Sequence, residues 1–308
     1  MVLRGRDFLS FADFTTVEIE YLLDLAAELK AKQKRGLAWP LLKGKTLGMI
    51  FEKPSTRTRV SFEVGMFQLG GLALYLNQAD LQMGRGEPIK DMARVLSRYL
   101  DGLLIRTFSQ ETVVELAEYA DIPVINGLTD QFHPTQVLAD LLTMRECLGR
   151  LQGIKLAYLG DGNNVAHSLL LAGAVMGLEV GIASPRGYQP DPQIVALAVA
   201  RGGRIKISSS PQEIASQAQV LYTDVWASMG QEKEALKRKE VFKNYQINED
   251  IVRLAAPEVI VLHCLPAKRG EEITSQVLAG PYSQVFNQAE NRLHAHKAIL
   301  AALLSGGE

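Results

Sequence analysis

Short apolar runs alternate with amphipathic stretches along almost the whole chain. The runs at 46–51, 72–76, 102–106 and 123–126 are bounded by turn residues and read as buried strands. Between them, apolar residues recur at helical spacing over 56–69, 88–99 and 110–120. Ahead of the first strand, Thr15 and Glu18 have the spacing of a capping box. The helix they open carries Leu22, Leu23, Ala26 and Leu29 on one face and ends at Gly36. Pro134 starts a long helix through Leu138, Leu141, Leu142 and Cys147, closed by the segment from Gly149 to Gly153. A second series follows, with strands at 155–159, 179–183, 204–208, 220–223 and 259–262. Its helices fall at 165–176, 192–200 and 211–216; 232–253 is charged and helical, and 287–304 is a last amphipathic helix. Such alternation predicts parallel sheets covered on both faces. The expected fold is α/β, two doubly wound parallel-sheet domains with the active site in the cleft between them. The hinge falls at 149–153.

In doubly wound sheets, ligands bind beyond the carboxyl ends of the strands. The chemistry-bearing residues of this chain collect there. Pro54 breaks the first strand, and Ser55 or Thr56 is placed to cap a helix running on through Val60, Phe62, Val64 and Phe67. Its free N–H groups, dipole and hydroxyls, with Arg57 and Arg59, suit a dianion such as phosphate. The competing reading is a solvated helix start whose arginines pair with Glu52 and Glu63. Arg106 leaves the end of the 102–106 strand, and His133 precedes Gln136 at a helix start. Together these three could hold a planar acyl group and polarise its carbonyl. Alone, His133 reads equally well as a helix-start histidine satisfied by backbone.

In the second half, Asp161-Gly-Asn-Asn164, Asp224 and His263-Cys-Leu-Pro266 occupy equivalent strand ends. Gly160-Asp-Gly162 hints at a dinucleotide site, but Val165 stands where the third glycine belongs, and the next strand carries no acid for a ribose. Asn163 and Asn164 read as polar groups facing a small ligand. Asp224 can hold an ammonium or cap its own turn, and the Ser228-Met-Gly230 loop can fold over a ligand. His263 and Cys264 are strand neighbours expected to point to opposite faces, which argues against a shared metal and a nucleophilic pair.

Composition narrows the class. A chain of 308 residues suits two domains of about 150 each. Hydrophobic residues make up 47% and charged residues 22%, with a net charge of -1. That balance gives no global pull toward nucleic acid or a membrane surface, so any anion site is local. Two cysteines, Cys147 and Cys264, are too few for a disulfide framework or structural zinc. The first residues lack the apolar core of a signal peptide, and 169–183 is interrupted by glycines and Glu179. A reduced, cytoplasmic protein is expected.

The motifs Phe51-Glu-Lys-Pro-Ser-Thr-Arg-Thr-Arg59, His133-Pro-Thr-Gln136, Asp224-Val-Trp-Ala-Ser-Met-Gly230 and His263-Cys-Leu-Pro266 resemble, in order and spacing, those of the ornithine carbamoyltransferase family. The resemblance covers essentially the whole chain. It implies that Ser55, Thr56, Arg57, Thr58 and Arg59 hold the phosphate of carbamoyl phosphate, with Arg292 nearby. Arg106, His133, Pro134, Thr135 and Gln136 would bind the carbamoyl end, and Gln82 would sit in a loop contributed across a subunit boundary. Asn164, Asp224, Ser228 and Met229 would bind ornithine, with Cys264 and Leu265 bordering the reacting centre. Arg57, Arg106, His133 and Cys264 would form the catalytic group. Residues 1–146 would bind carbamoyl phosphate and 147–286 ornithine, with the helix of 287–308 packing back on the first domain. The family is a homotrimer without cofactor or metal, and it makes or consumes citrulline in arginine metabolism. Direct attack by a neutral amine would need no covalent intermediate. A free alkylamine has a pKa of roughly 10, so closure after carbamoyl phosphate binds is expected to favour the neutral form. Three rivals compete: a carbamoyltransferase for putrescine or an acylated ornithine, a non-catalytic binding protein, and a dehydrogenase.

Overall fold

The computed structural model describes residues 3–78, 81, 86–227 and 232–306. The chain forms two compact units, Met1–Leu138 with Arg292–Glu308 and Ala139–Asn291. In the first, α1 (Thr16–Lys34) opens with the expected capping box, Glu18 accepting the Thr15 N–H at 2.8 Å. Its buried face is Ile19, Leu22, Leu23, Ala26 and Leu29. Then come β1 (Thr46–Phe51), α2 (Thr56–Gln68), β2 (Leu72–Asn77), α3 (Ile89–Leu96), β3 (Gly102–Arg106), α4 (Gln110–Tyr119) and β4 (Val124–Leu128). The four strands are parallel in the order β2-β1-β3-β4. The chain leaves β1 to one side for β2 and crosses to the other for β3. This puts a topological switch point at the carboxyl ends of β1 and β3.

After α5 (Pro134–Leu148), the second unit runs β5 (Lys155–Leu159), α6 (Asn164–Met176), β6 (Glu179–Ala183), α7 (Pro192–Ala200), β7 (Arg204–Ser208), α8 (Pro211–Ala215) and β8 (Val220–Thr223). It continues with α9 (Ala235–Phe242), α10 (Glu249–Leu254), β9 (Ile260–His263) and α11 (Ser275–Leu278), before α12 (Val285–Leu304). The sheet is parallel in the order β7-β6-β5-β8-β9, so its switch point lies between β5 and β8. Its apolar core joins Leu159, Leu221 and Val261 of the strands to Trp226, Phe242 and Ile273.

Three departures from the sequence pattern stand out. β4 runs on to Leu128 because the register slips between Ile105 and Arg106, a bulge that Gly127 permits. A Cβ on Gly127 would come within 3.0 Å of Leu104 Cδ1, and bulges re-aim neighbouring side chains, here Arg106. The charged stretch 232–253 is broken between α9 and α10, where Ile247 pairs with Ile273 and its N–H bonds the Glu272 carbonyl at 2.9 Å. On α2, Phe62 and Met66 are buried, but Val60 and Phe67 are 49% and 80% exposed. Among the described residues, no helix is long and apolar enough to cross a membrane.

Candidate active site

In the first unit the strand ends converge on a cluster of cations. Ser55 caps α2: its hydroxyl accepts the Thr58 N–H at 3.2 Å and donates to Thr58 Oγ1 at 3.0 Å. Arg292 Nη2, from α12, donates to the same Thr58 oxygen at 2.7 Å. Thr58 Oγ1 therefore accepts twice, and its own proton can serve an incoming oxygen. Thr56 is exposed and Arg57 half-buried at the first turn. Arg59 follows the competing reading, bonding Glu63 at 2.9 Å and lying 3.8 Å from the Tyr75 ring centroid. Arg106 is buried at the end of β3, and its carbonyl accepts the Glu52 N–H at 2.9 Å, tying the turn after β1 to β3. Lys53 reinforces the same turn through an ion pair with Asp130 and a place over the Phe108 ring.

His133, Pro134, Thr135 and Gln136 are all buried at the start of α5. Burial, then Arg292, Arg106, His296 and Arg57, hold the His133 imidazole well below its ordinary range. The ring is neutral at pH 7 and keeps one N–H to donate, with Nδ1 3.5 Å from Thr135 Oγ1. Guanidinium groups around a neutral ring make a site that gains most from a bound dianion.

The second unit presents the opposite charge. Asp224, just past β8, accepts from Asn163 Nδ2 and from the Val225 N–H, each at 2.8 Å, and from the Cys264 thiol at 2.9 Å. Asn163 also caps α6 through Oδ1, which accepts the Val165 and Ala166 N–H groups and the Tyr158 hydroxyl at 3.2 Å. Asn164 is the first residue of that helix and half-buried. Burial, with Asp224, Asp161 and Cys264, pushes the Tyr158 phenol well above its usual value. His263 and Glu272 form a fully buried pair at 3.0 Å. His263 Nδ1 accepts the Leu265 N–H at 2.9 Å, so Nε2 carries the proton toward Glu272.

The expectation that His263 and Cys264 diverge fails. Donor atoms of Asp224, His263 and Cys264 all lie within 4.8 Å of one another. β9 ends at His263, so strand alternation no longer governs Cys264, and Leu265 turns the chain with φ 57°. The Cys264 thiol nonetheless donates to Asp224, while His263 is held by the Leu265 N–H and Glu272. Gly162 has a steric reason of its own: a Cβ there would sit 2.2 Å from Pro190 N. Gly162 serves the approach of its own chain.

The structure thus gathers Ser55, Thr58, Arg57, Arg106, His133 and Arg292 in one unit, and Asn164, Asp224, Cys264 and Leu265 in the other. Gln82, Ser228 and Met229 lie outside the described residues. Sequence reading missed Asn163 as the direct partner of Asp224, the Asp161–Arg238 pair and His296. The last was legible only as a histidine one helical turn beyond Arg292.

Comparisons with known proteins now bear on this geometry. Residues 6–146 match the family model "Aspartate/ornithine carbamoyltransferase, carbamoyl-P binding domain". Residues 152–303 match "Aspartate/ornithine carbamoyltransferase, Asp/Orn binding domain". The chain is similar to the ornithine carbamoyltransferase of Anoxybacillus flavithermus, 58% identical over 306 residues that cover 98% of each chain. It is 53% identical to that of Thermococcus kodakarensis, covering 99% of this chain and 98% of that one. Among solved structures, the Pyrococcus furiosus ornithine carbamoyltransferase superposes with a TM-score of 0.96 at 51% identity, covering 100% of both chains.

Proposed function

We propose a residue-level mechanism for a chain that belongs to the aspartate/ornithine carbamoyltransferase family and carries out carbamoyl transfer from carbamoyl phosphate to ornithine. The ornithine side-chain nitrogen bonds the carbamoyl carbon, the carbon–oxygen bond to phosphate breaks, and the nitrogen loses a proton. Citrulline and phosphate result. Phosphate leaves readily, so the protein supplies orientation and charge stabilisation and forms no covalent intermediate. In this reading Ser55, Thr56, Arg57, Thr58 and Arg292 take the phosphate. Arg59 contributes least, because Glu63 and Tyr75 already hold it.

Arg106, His133, Thr135 and Gln136 take the carbamoyl end. Neutral His133 donates to the carbonyl oxygen as negative charge develops there, and Arg106 adds fixed positive charge. Asp224 takes the α-ammonium of ornithine, with Asn164, Ser228 and Met229 beside it and Cys264 and Leu265 at the reacting end. The observation that carries this reading is the cluster itself: Arg292 bonds Thr58 of the α2 cap at 2.7 Å, with Arg106 and His133 buried in the same unit. A steady-state assay with carbamoyl phosphate and ornithine, putrescine or N-acetylornithine tests it. Citrulline formation from ornithine at the highest kcat/KM is expected; a preference for putrescine would refute the Asp224 assignment.

The family's trimer, with Gln82 supplied across a subunit boundary, is also part of the proposal. Val60 and Phe67 of α2 and Leu72 and Leu74 of the edge strand β2 are exposed apolar side chains that association would cover. Sedimentation of the purified protein at three times the monomer mass is the expected outcome. Cys147 and Cys264 are not joined in a disulfide, which suits a reducing cytoplasm.

A further inference from the structure

α12 brings a second buried ring to the first turn of α2. His296 is fully buried one helical turn beyond Arg292, and its ring stacks on Phe62 with centroids 4.1 Å apart and planes at 18°. His296 Nδ1 lies 2.8 Å from Ser61 Oγ. Ser61 Oγ lies 2.6 Å from the Arg57 carbonyl and 3.1 Å from that of Thr58. A hydroxyl has one proton, and the 2.6 Å contact commits it to the Arg57 carbonyl. Ser61 Oγ is then placed to accept from the Nδ1–H tautomer of the ring. Burial, then the neighbouring Arg292 charge, lower the imidazole well below its ordinary range, opposed by a hydrogen bond to the Thr135 backbone.

Two residues of α12 therefore grip this turn at different points. Arg292 holds the Thr58 side chain, and His296 holds the Arg57 carbonyl through Ser61. The turn could form without the second grip, because serine back-bonding to the residue four earlier stabilises a helix little and tends to bend it. A buried imidazole also costs desolvation that an aliphatic residue against Phe62 would avoid. The polar ring does something packing alone would not.

We propose that Ser61 and His296 are positioning residues for carbamoyl phosphate. His296 orients the Ser61 hydroxyl, which fixes the Arg57 carbonyl and so the direction in which the Arg57 guanidinium leaves the helix. The proposal rests on reading Ser55–Arg59 as the phosphate cradle.

The test is steady-state kinetics in both substrates for His296→Leu, His296→Asn and Ser61→Ala, with thermal melting as a check on folding. The Asn amide reproduces the Nδ1–H donor without the ring. His296→Leu and Ser61→Ala are expected to raise the KM for carbamoyl phosphate about tenfold, the scale of one net hydrogen bond, with the ornithine KM unchanged. His296→Asn should stay close to the parent. An unchanged carbamoyl phosphate KM in a folded His296→Leu protein overturns the proposal. So does an equal rise in both KM values, or an Asn variant as impaired as the Leu variant. If His296→Leu does not fold, Ser61→Ala decides alone, since it removes a single oxygen. An Arg57→Gly protein of near-normal activity would instead sink the cradle reading itself. An inactive Arg57→Gly beside unaffected Ser61 and His296 variants would overturn only the positioning pair.

Discussion

The carboxyl ends of β1, β3 and β4 lead to Arg57, Arg106 and His133, whereas those of β5, β8 and β9 lead to Asn163, Asp224 and Cys264. Both sheets are parallel and reverse their strand order at one point, so the backbone offers each the same kind of ligand edge. The side chains there carry opposite electrostatics. In the first unit a buried imidazole is driven to its neutral form, burial being helped by Arg292, Arg106 and Arg57. In the second, buried phenols hold their protons: Tyr222 because of burial and Asp140, Tyr158 because of burial and Asp224. Topology fixes where a ligand sits, and the local charge fixes its sign. A dianion suits the first edge and an ammonium the second.

That contrast gives an ordered set of expected outcomes. The largest effect belongs to Arg57→Gly, which should lower kcat by about a thousandfold or more, the loss of a preorganised charge at a reacting centre; a rate assay on the purified variant checks it. Next is Arg238→Met in the second unit. Arg238 Nη1 bonds Asp161 and the Trp226 carbonyl at 2.8 and 2.9 Å, with both ionic side chains buried. Removing it strands a buried carboxylate, expected to cost about 3 kcal/mol in denaturant unfolding. Burial already raises the Asp161 carboxyl against Arg238. Its folded form therefore binds a proton more readily than the unfolded chain, and stability tied to it falls as pH rises through that window. The Arg238→Met deficit should shrink as pH falls and Asp161 takes up its proton, and a deficit independent of pH would point to packing instead.

Asp224→Asn should raise the ornithine KM by about tenfold to a hundredfold, the worth of one charge-assisted hydrogen bond, while the carbamoyl phosphate KM stays unchanged. A matching loss in the donor KM would show that the two edges are not chemically separate. The smallest effect is expected for Cys264→Ala. Its thiol donates to Asp224 and attacks nothing, so kcat should fall by about tenfold, a hydrogen bond's worth, without being abolished. Complete loss of turnover would revive a nucleophilic role.

Four strands of the second unit are legible to the residue, while β9 is Ile260–His263 rather than 259–262. β5, β6, β7 and β8 begin and end where the apolar runs do, because strands packed on both faces read as unbroken runs between turn residues. The caps at Thr15 and Ser55 are local hydrogen-bond chemistry and were equally readable. Where the reading faltered, a distant partner intervened. α9 and α10 are separated because Ile247 pairs with Ile273 rather than continuing its own helix. Arg59 bonds Glu63, one helical turn on, and lies against Tyr75 on the neighbouring strand. Cys264 turned toward Asp224 only because the strand had already ended.

By itself the sequence determined the strand–helix alternation, the switch points it forces, and the motifs at the strand ends, since each depends on residues within about one turn or strand of one another. Only the tertiary structure decided which charges face which. Arg292 reaches Thr58 and His296 reaches Ser61 across more than two hundred residues, and Asp224 gathers Asn163 and Cys264 from two other strand ends. Burial and the sum of nearby charges set the protonation of His133, and neither quantity exists until the chain has folded.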